Sequence, residues 1–213
     1  LNLNYKSYWR KTGLKGKWGN IFLERISNHN PKNVLEIGVF CGVTARNICD
    51  FLNKINGKNF SYIGVDLFEQ NNENKSEIIP NVNFSNPLKK IYFQYIKRQD
   101  PYSLEAVKEL LKKFENNVHL MKGNSNQILK NIEMSKIDYV FLDGGHDYNT
   151  VKNDLNSCIN VIKNSGTLLC DDYNLSYAPG VKKAIDDFVK SNNFKCELML
   201  NHRFAKIELN KNL

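Results

Sequence analysis

The stretch LEIGVFCGVT, residues 35–44, decides the fold. An apolar run breaks off at Gly38, a second glycine follows at Gly42, and helical periodicity begins at Thr44. That is a strand, a tight turn and a helix start. Gly38 permits the sharp turn after the strand, and Gly42 permits backbone to come close to a ligand. The spacing is GxxxG, whereas a dinucleotide site uses GxGxxG to seat a pyrophosphate at the helix start. Glu36, two places before the first glycine, would repel a pyrophosphate and suits a cationic group. A plain turn between strand and helix also accommodates these residues.

Working outward, short apolar runs alternate with helical patterns. Strands are predicted over 33–39, 60–67, 117–123, 136–143 and 166–172, and helices over 18–28, 44–53 and 88–97. Asp100-Pro101 reads as another helix start, followed by a buried stripe of Leu104, Val107, Leu110, Leu111 and Phe114. A helix over 150–163 closes near Gly166, and another spans 180–191. Residues 194–200 and 203–209 are separated by too few residues for a crossover helix, so they predict an antiparallel hairpin. The expected fold class is α/β: a Rossmann-like doubly wound sheet of seven strands, mostly parallel, ending in that hairpin. The expected organisation is a single domain over 1–213, with an N-terminal extension (1–30) and an insertion (68–100) whose polar stretch 70–86 suits a mobile lid.

Composition narrows the function classes. The 213 residues suffice for one full core, and 41% hydrophobic with 24% charged residues is ordinary for a globular protein. No apolar run approaches a membrane span and no signal peptide is read at the start, so the localisation expected is cytoplasmic. The chain begins at Leu1, which leaves open that it is one domain of something longer. The net charge of +8 comes from scattered Lys and Arg without a nucleic-acid-binding motif, so it reads as a lysine-rich composition. Five cysteines (Cys41, Cys49, Cys158, Cys170, Cys196), odd in number and never spaced CxxC, suit a reducing compartment. The basic, aromatic start (Tyr5, Tyr8, Trp9) suits a cover over a site, the contact of a homodimer or a simple tail.

Chemistry-bearing residues collect at strand ends. Asp66 ends the second strand, beside the glycine loop, where a carboxylate can accept both hydroxyls of a ribose or simply face solvent. Gly123, Asn124 and Ser125 follow the third strand and could contact a flat base. YVFLDGGHDY (139–148) ends the fourth with Asp143 and His146, and LLCDDY (168–173) ends the fifth with Asp171 and Asp172. Neighbouring strands lie about 4.8 Å apart. Three carboxylates on adjacent tips repel one another unless a cation sits between them. A divalent ion such as Mg²⁺ or Ca²⁺ on Asp143, Asp171 and Asp172 would serve, while a solvated acidic turn is the plain alternative. His146 fits a general base, an auxiliary ligand or a surface histidine. Asp147 and Tyr148 read as the cap and packing of the next helix.

Together these residues resemble the class I S-adenosylmethionine-dependent methyltransferases. LEIGVFCGVTA is similar to the first motif of the catechol O-methyltransferase type. FLDGGHDYNTVKNDL (141–155), VIKNSG (161–166), LLCDDY and PGVKKAIDDF (179–188) resemble the bacterial small-molecule branch that includes macrolide-sugar O-methyltransferases. The resemblance spans roughly 33–190 and is thinnest over 68–100. It implies that Glu36, Gly38, Phe40, Gly42 and Thr44 line the methionine side of the cofactor, that Asp66 takes the ribose, and that Ser125 lies near the adenine. It also implies a divalent metal on Asp143, Asp171 and Asp172, with His146 as base where the catechol type has lysine. Asp143 would thus serve cofactor, metal and catalysis together. The function implied is methyl transfer to a hydroxyl of a small molecule, a sugar, polyol or catechol. A nucleic-acid methyltransferase is the alternative the charge suggests, but DGGH stands where base-amine methylating enzymes carry (N/D)PP(Y/F). A non-catalytic binding module sits poorly with an intact carboxylate set, and an NAD-dependent dehydrogenase with the GxxxG spacing and final hairpin.

Overall fold

The computed structural model describes residues 4–69, 84, 86–133 and 136–209. Its strands are β1 (Asn33–Ile37), β2 (Ser61–Asp66), β3 (Val118–Lys122), β4 (Ile137–Leu142), β5 (Ile162–Cys170), β6 (Lys195–Met199) and β7 (Phe204–Glu208). They form one seven-stranded sheet in the order β3-β2-β1-β4-β5-β7-β6. The first five pair parallel, and β7 enters antiparallel between β5 and β6. This is the architecture predicted from the sequence, including the terminal hairpin.

Helices cover both faces. On one side lie α1 (Gly16–Ser27), α2 (Val43–Asn56) and α4 (Leu104–Leu111); on the other lie α6 (Tyr148–Val161) and α7 (Pro179–Asn192). Two short helices, α3 (Pro87–Ile91) and α5 (Ser125–Ile128), precede a π-helical turn at Tyr92–Lys97 and a 3-10 turn at Leu129–Asn131. Alternation along the strands divides the core. In β1, Val34 faces Phe22, Ile26, Ile48 and Leu52, while Leu35 and Ile37 face Val151, Leu155 and Ile185. Glu36 shares the face of Val34, so a carboxylate enters an apolar layer and is fully buried there.

Local chemistry departs from the sequence reading in two places. The cap of α4 is Ser103, whose hydroxyl accepts from the Ala106 amide at 3.2 Å. Asp100 instead accepts from the Tyr102 amide one turn earlier, because its side chain reaches two residues on. The second departure is Gly166: α6 passes directly into β5 at Ile162, so this glycine lies within the strand and does not close the helix. Asp147 caps α6 as expected, accepting from the Asn149 amide at 2.8 Å and the Thr150 amide at 3.3 Å.

The N-terminal extension is folded into the domain. Phe22, Leu23 and Ile26 of α1 are core residues, and the irregular segment before it buries Tyr5, Arg10, Thr12 and Leu14. The expected lid falls largely on 70–83 and 85, outside the described residues. Among the described residues no helix is long and apolar enough to cross a membrane.

Candidate active site

The carboxyl ends of the parallel strands are tied into one row. Gly123 donates its amide to the Asp66 carbonyl at 2.9 Å, Gly38 to Val65 at 2.9 Å, Asp143 to Ile37 at 2.8 Å and Asp171 to Leu142 at 2.9 Å. Each bond links the first loop residue of one strand to the end of its neighbour. The sequence-predicted site residues therefore stand side by side at a single rim, where ligands bind in open α/β sheets.

The glycine loop is set by contact as well as by turn geometry. Gly38 has φ +91°, and a Cβ on it would stand 1.9 Å from the Asp143 carbonyl oxygen. The close approach is thus between the tips of β1 and β4. Gly42 has φ +76° and caps α2, but the atom nearest an added Cβ is Val107 Cγ1 at 2.9 Å. Its missing side chain makes room for α4, where the sequence reading gave that room to a ligand. Phe40, also left-handed at φ 51°, turns its amide to the Asp66 carboxylate at 2.7 Å.

Glu36 accepts a hydrogen bond from the Tyr62 hydroxyl through Oε2, and its Oε1 has no partner. Burial pushes its carboxyl up to about 8, the Tyr62 bond opposes this, and Asp66 adds to it. Asp143 is pushed well above the carboxylate range, first by loss of water and then by Asp171, Asp172 and Glu36, with Arg203 opposing. Two acids held out of ionisation beside a glycine loop mark a place that a cation would relieve. The cationic aminoacyl-sulfonium end of S-adenosylmethionine fits that requirement.

Asp66 is satisfied within the protein. Oδ2 accepts from the Phe40 amide, and Oδ1 from the Phe68 amide at 3.0 Å and the Tyr102 hydroxyl at 2.7 Å. A ribose hydroxyl reaching Oδ1 would take the place of the Tyr102 phenol. Thr44 is buried, with its hydroxyl 2.8 Å from that of Tyr5. Ser125 turns its hydroxyl to Asp154 on α6. Neither hydroxyl points clear of the protein's own partners.

His146 and Asp172 form a pair, Nε2 to Oδ2 at 3.1 Å. Asp172 is left-handed at φ 60° and gives its amide to Asp171 Oδ1 at 2.7 Å. Tyr177, 65% exposed, stands beside them with its ring centroid 6.5 Å from that of His146.

Asp171 is held by a residue the sequence reading did not name. Arg203, in the turn before β7, donates Nε to Oδ1 at 2.7 Å and Nη2 to Oδ2 at 2.8 Å. The Asp171 side chain has no exposed surface. Burial pushes its carboxyl up, and the guanidinium fork pulls it back. The reasoning that adjacent acids need a cation identified the requirement, and a search for basic residues near the final hairpin would have met Arg203. The three predicted metal ligands do not converge: Asp171 turns to Arg203 and Asp172 to His146. Among the described residues, no group of three His, Cys, Asp or Glu side chains is arranged to hold a metal ion. The arrangement found does not fit a divalent ion.

The N-terminal segment also reaches this rim. The buried Arg10 guanidinium donates to the carbonyls of Cys41 at 3.3 Å, Pro101 at 3.1 Å and Ala106 at 2.7 Å, joining the glycine loop to α4.

Residues 35–173 match the methyltransferase domain family. No curated protein matches the chain. Solved structures resemble it in fold. The S-adenosylhomocysteine-bound methyltransferase PaMTH1 of Podospora anserina is 17% identical, with a TM-score of 0.59 over 92% of this chain and 80% of that one. The O-methyltransferase NovP is 19% identical, with a TM-score of 0.57 over 90% and 80%. CalS11, a TDP-rhamnose 3'-O-methyltransferase of calicheamicin biosynthesis, is 13% identical, with a TM-score of 0.58 over 88% and 77%.

Proposed function

The chain belongs to the methyltransferase domain family, and from that premise we propose that it transfers a methyl group from S-adenosylmethionine to a hydroxyl of a small molecule. The observation that carries the reading is the unpartnered Oε1 of Glu36, buried beside the glycine loop with Asp143 next along the rim. Glu36 and Asp143 would hold the cationic end of the cofactor, and Asp66 the ribose. When bound, the cofactor supplies an electrophilic methyl group on a sulfonium. This use of the site agrees with the S-adenosylhomocysteine complex of PaMTH1, which shares the fold.

His146 is the general base. Its Nε2 proton is given to Asp172, which leaves the basic lone pair on Nδ1. Nδ1 takes the proton of the acceptor hydroxyl as the oxygen attacks carbon, and Asp172 steadies the imidazolium that forms. Such a base contributes about 10²- to 10⁴-fold. The exposed Tyr177 ring offers an apolar face against which a ring-shaped acceptor can lie. A sugar or polyol is the favoured acceptor class, in keeping with the TDP-rhamnose acceptor of CalS11, and a catechol is the second.

The test is calorimetric titration of S-adenosylhomocysteine into the purified protein, followed by a screen of nucleotide sugars, polyols and catechols with labelled cofactor. Saturable one-to-one binding supports the proposal. Absence of binding overturns it before any acceptor is tried.

A further inference from the structure

The site places a guanidinium where its carboxylates call for a cation. We propose that Arg203 is the resident cation of this site, standing in place of a divalent metal, and that methyl transfer here proceeds without one. The inference rests on the reading of the site given above.

Three observations carry it. First, Asp171 is fully engaged: Oδ1 accepts from Arg203 Nε and from the Asp172 amide, each at 2.7 Å, and Oδ2 accepts from Arg203 Nη2 at 2.8 Å. A two-pronged guanidinium–carboxylate pair is the strong form of this interaction, and arginine does not lose its proton in proteins. An incoming divalent ion would have to displace a fixed positive charge or sit against it.

Second, Arg203 is built in from every side. The turn that presents it, Leu200, Asn201 and His202, is left-handed at three successive residues, with φ of 54°, 55° and 64°. The Arg203 amide donates to the Leu200 carbonyl at 3.2 Å, and its carbonyl accepts from the Tyr173 amide at 2.9 Å. Nη2 lies 3.5 Å from where a Cβ on Gly13 would be, so the N-terminal segment walls it. The guanidinium carbon stands 5.4 Å from the Phe204 ring centroid.

Third, the other two acids have other tasks. Asp172 spends Oδ2 on His146, and Asp143 belongs to the rim beside Glu36. A metal in such a site would grip the acceptor oxygen and lower its pKa. Here activation is left to His146 and Asp172. Arg203 neutralises Asp171 and so keeps Asp172 turned toward the imidazole, which makes it a positioning residue.

The experiment is metal titration of the purified protein followed by thermal unfolding and calorimetry, run beside Arg203→Met and Arg203→Lys. Mg²⁺, Ca²⁺ and Mn²⁺ chlorides are taken to about 10 mM, well above the Kd of the weaker protein calcium sites. The wild type is expected to show no binding heat and no shift in midpoint, with or without S-adenosylhomocysteine. Arg203→Met frees Asp171 and is expected to acquire metal-dependent stabilisation, which a merely structural arginine would not confer on its removal. Arg203→Lys keeps the charge and is expected to remain indifferent to metal. Stoichiometric metal binding by the wild type overturns the proposal, and so does a folded Arg203→Met that stays indifferent to metal. If Arg203→Met does not fold, the wild-type titration decides alone. Failure of S-adenosylhomocysteine to bind overturns the methyltransferase reading separately, because the metal arm does not depend on it.

Discussion

Tyr62 donates its hydroxyl to one oxygen of Glu36 and leaves the other facing no partner in the middle of the sheet. The pair sits diagonally across β1 and β2, since Val34 stands opposite Tyr62 and Glu36 opposite Gly64. A lone acid in that position costs stability unless it keeps its proton. Its value lies in binding, where a cation can claim the vacant oxygen.

The first prediction concerns pH. Folded Glu36 holds its proton up to about 8, whereas an unfolded glutamate releases it near 4.5. Between those limits the folded state binds more protons, so stability falls as pH rises and levels off above about 8. One such group gives a slope of up to about 1.4 kcal/mol per pH unit. Glu36→Gln should remove that much of the slope in urea unfolding followed from about pH 5 to about pH 8. Asp143, raised in the same direction, keeps the remainder. Equal slopes in both proteins would show that Glu36 is ionised throughout.

Gly38→Ala should be among the most damaging single changes. The new methyl group would meet the Asp143 carbonyl at 1.9 Å, on backbone of left-handed φ. Neither strand tip can withdraw without breaking the Asp143–Ile37 bond. A loss of about 4 kcal/mol or more in denaturant unfolding is expected, in the range reserved for overpacking and backbone strain. A loss under about 1 kcal/mol would mean that the two tips are free to separate.

His146→Ala should lower turnover about 10²- to 10⁴-fold and leave S-adenosylhomocysteine affinity almost unchanged. Asp172→Asn should lower turnover by a smaller factor, since it removes the carboxylate that steadies the imidazolium. Single-turnover assays with saturating cofactor separate these effects. Full activity in both variants would assign the base elsewhere.

Arg10→Met tests the N-terminal segment. The change strips three carbonyls, those of Cys41, Pro101 and Ala106, of a buried charged donor. Each acceptor left unpaired costs about 1–3 kcal/mol. Stability should drop by several kcal/mol, and cofactor affinity should drop with it because Cys41 lies in the glycine loop. Unchanged affinity in a destabilised protein would restrict Arg10 to a structural role.

Much of this was written in the sequence. The seven strands were legible because their apolar runs are bounded by glycine or acid, and the hairpin because so few residues separate 194–200 from 203–209. Asp143, His146, Asp171 and Asp172 were legible as a set because strand ends converge on one rim. Contacts made across the fold were not. Arg203 is one basic residue among thirty, and nothing local distinguishes it until β7 is placed beside β5. The role of Gly42 was misjudged for the same reason, since Val107 belongs to another helix. Ser125 and Thr44 were found at the rim, but their hydroxyls turn to Asp154 and Tyr5, which spacing along the chain does not reveal.

The position of β7 has a further meaning for how the molecule is made. Translation runs from the amino end, so β1 to β5 leave the ribosome with the acidic rim already in sequence. The strand that lies against β5, and the arginine at its start, emerge last. Until then Asp171 has no counter-charge, and the edge of β5 is open to any passing strand. Synthesis of the final hairpin therefore closes the sheet and neutralises the site in one event, and a nascent chain cannot complete its active centre before its last two strands are in place.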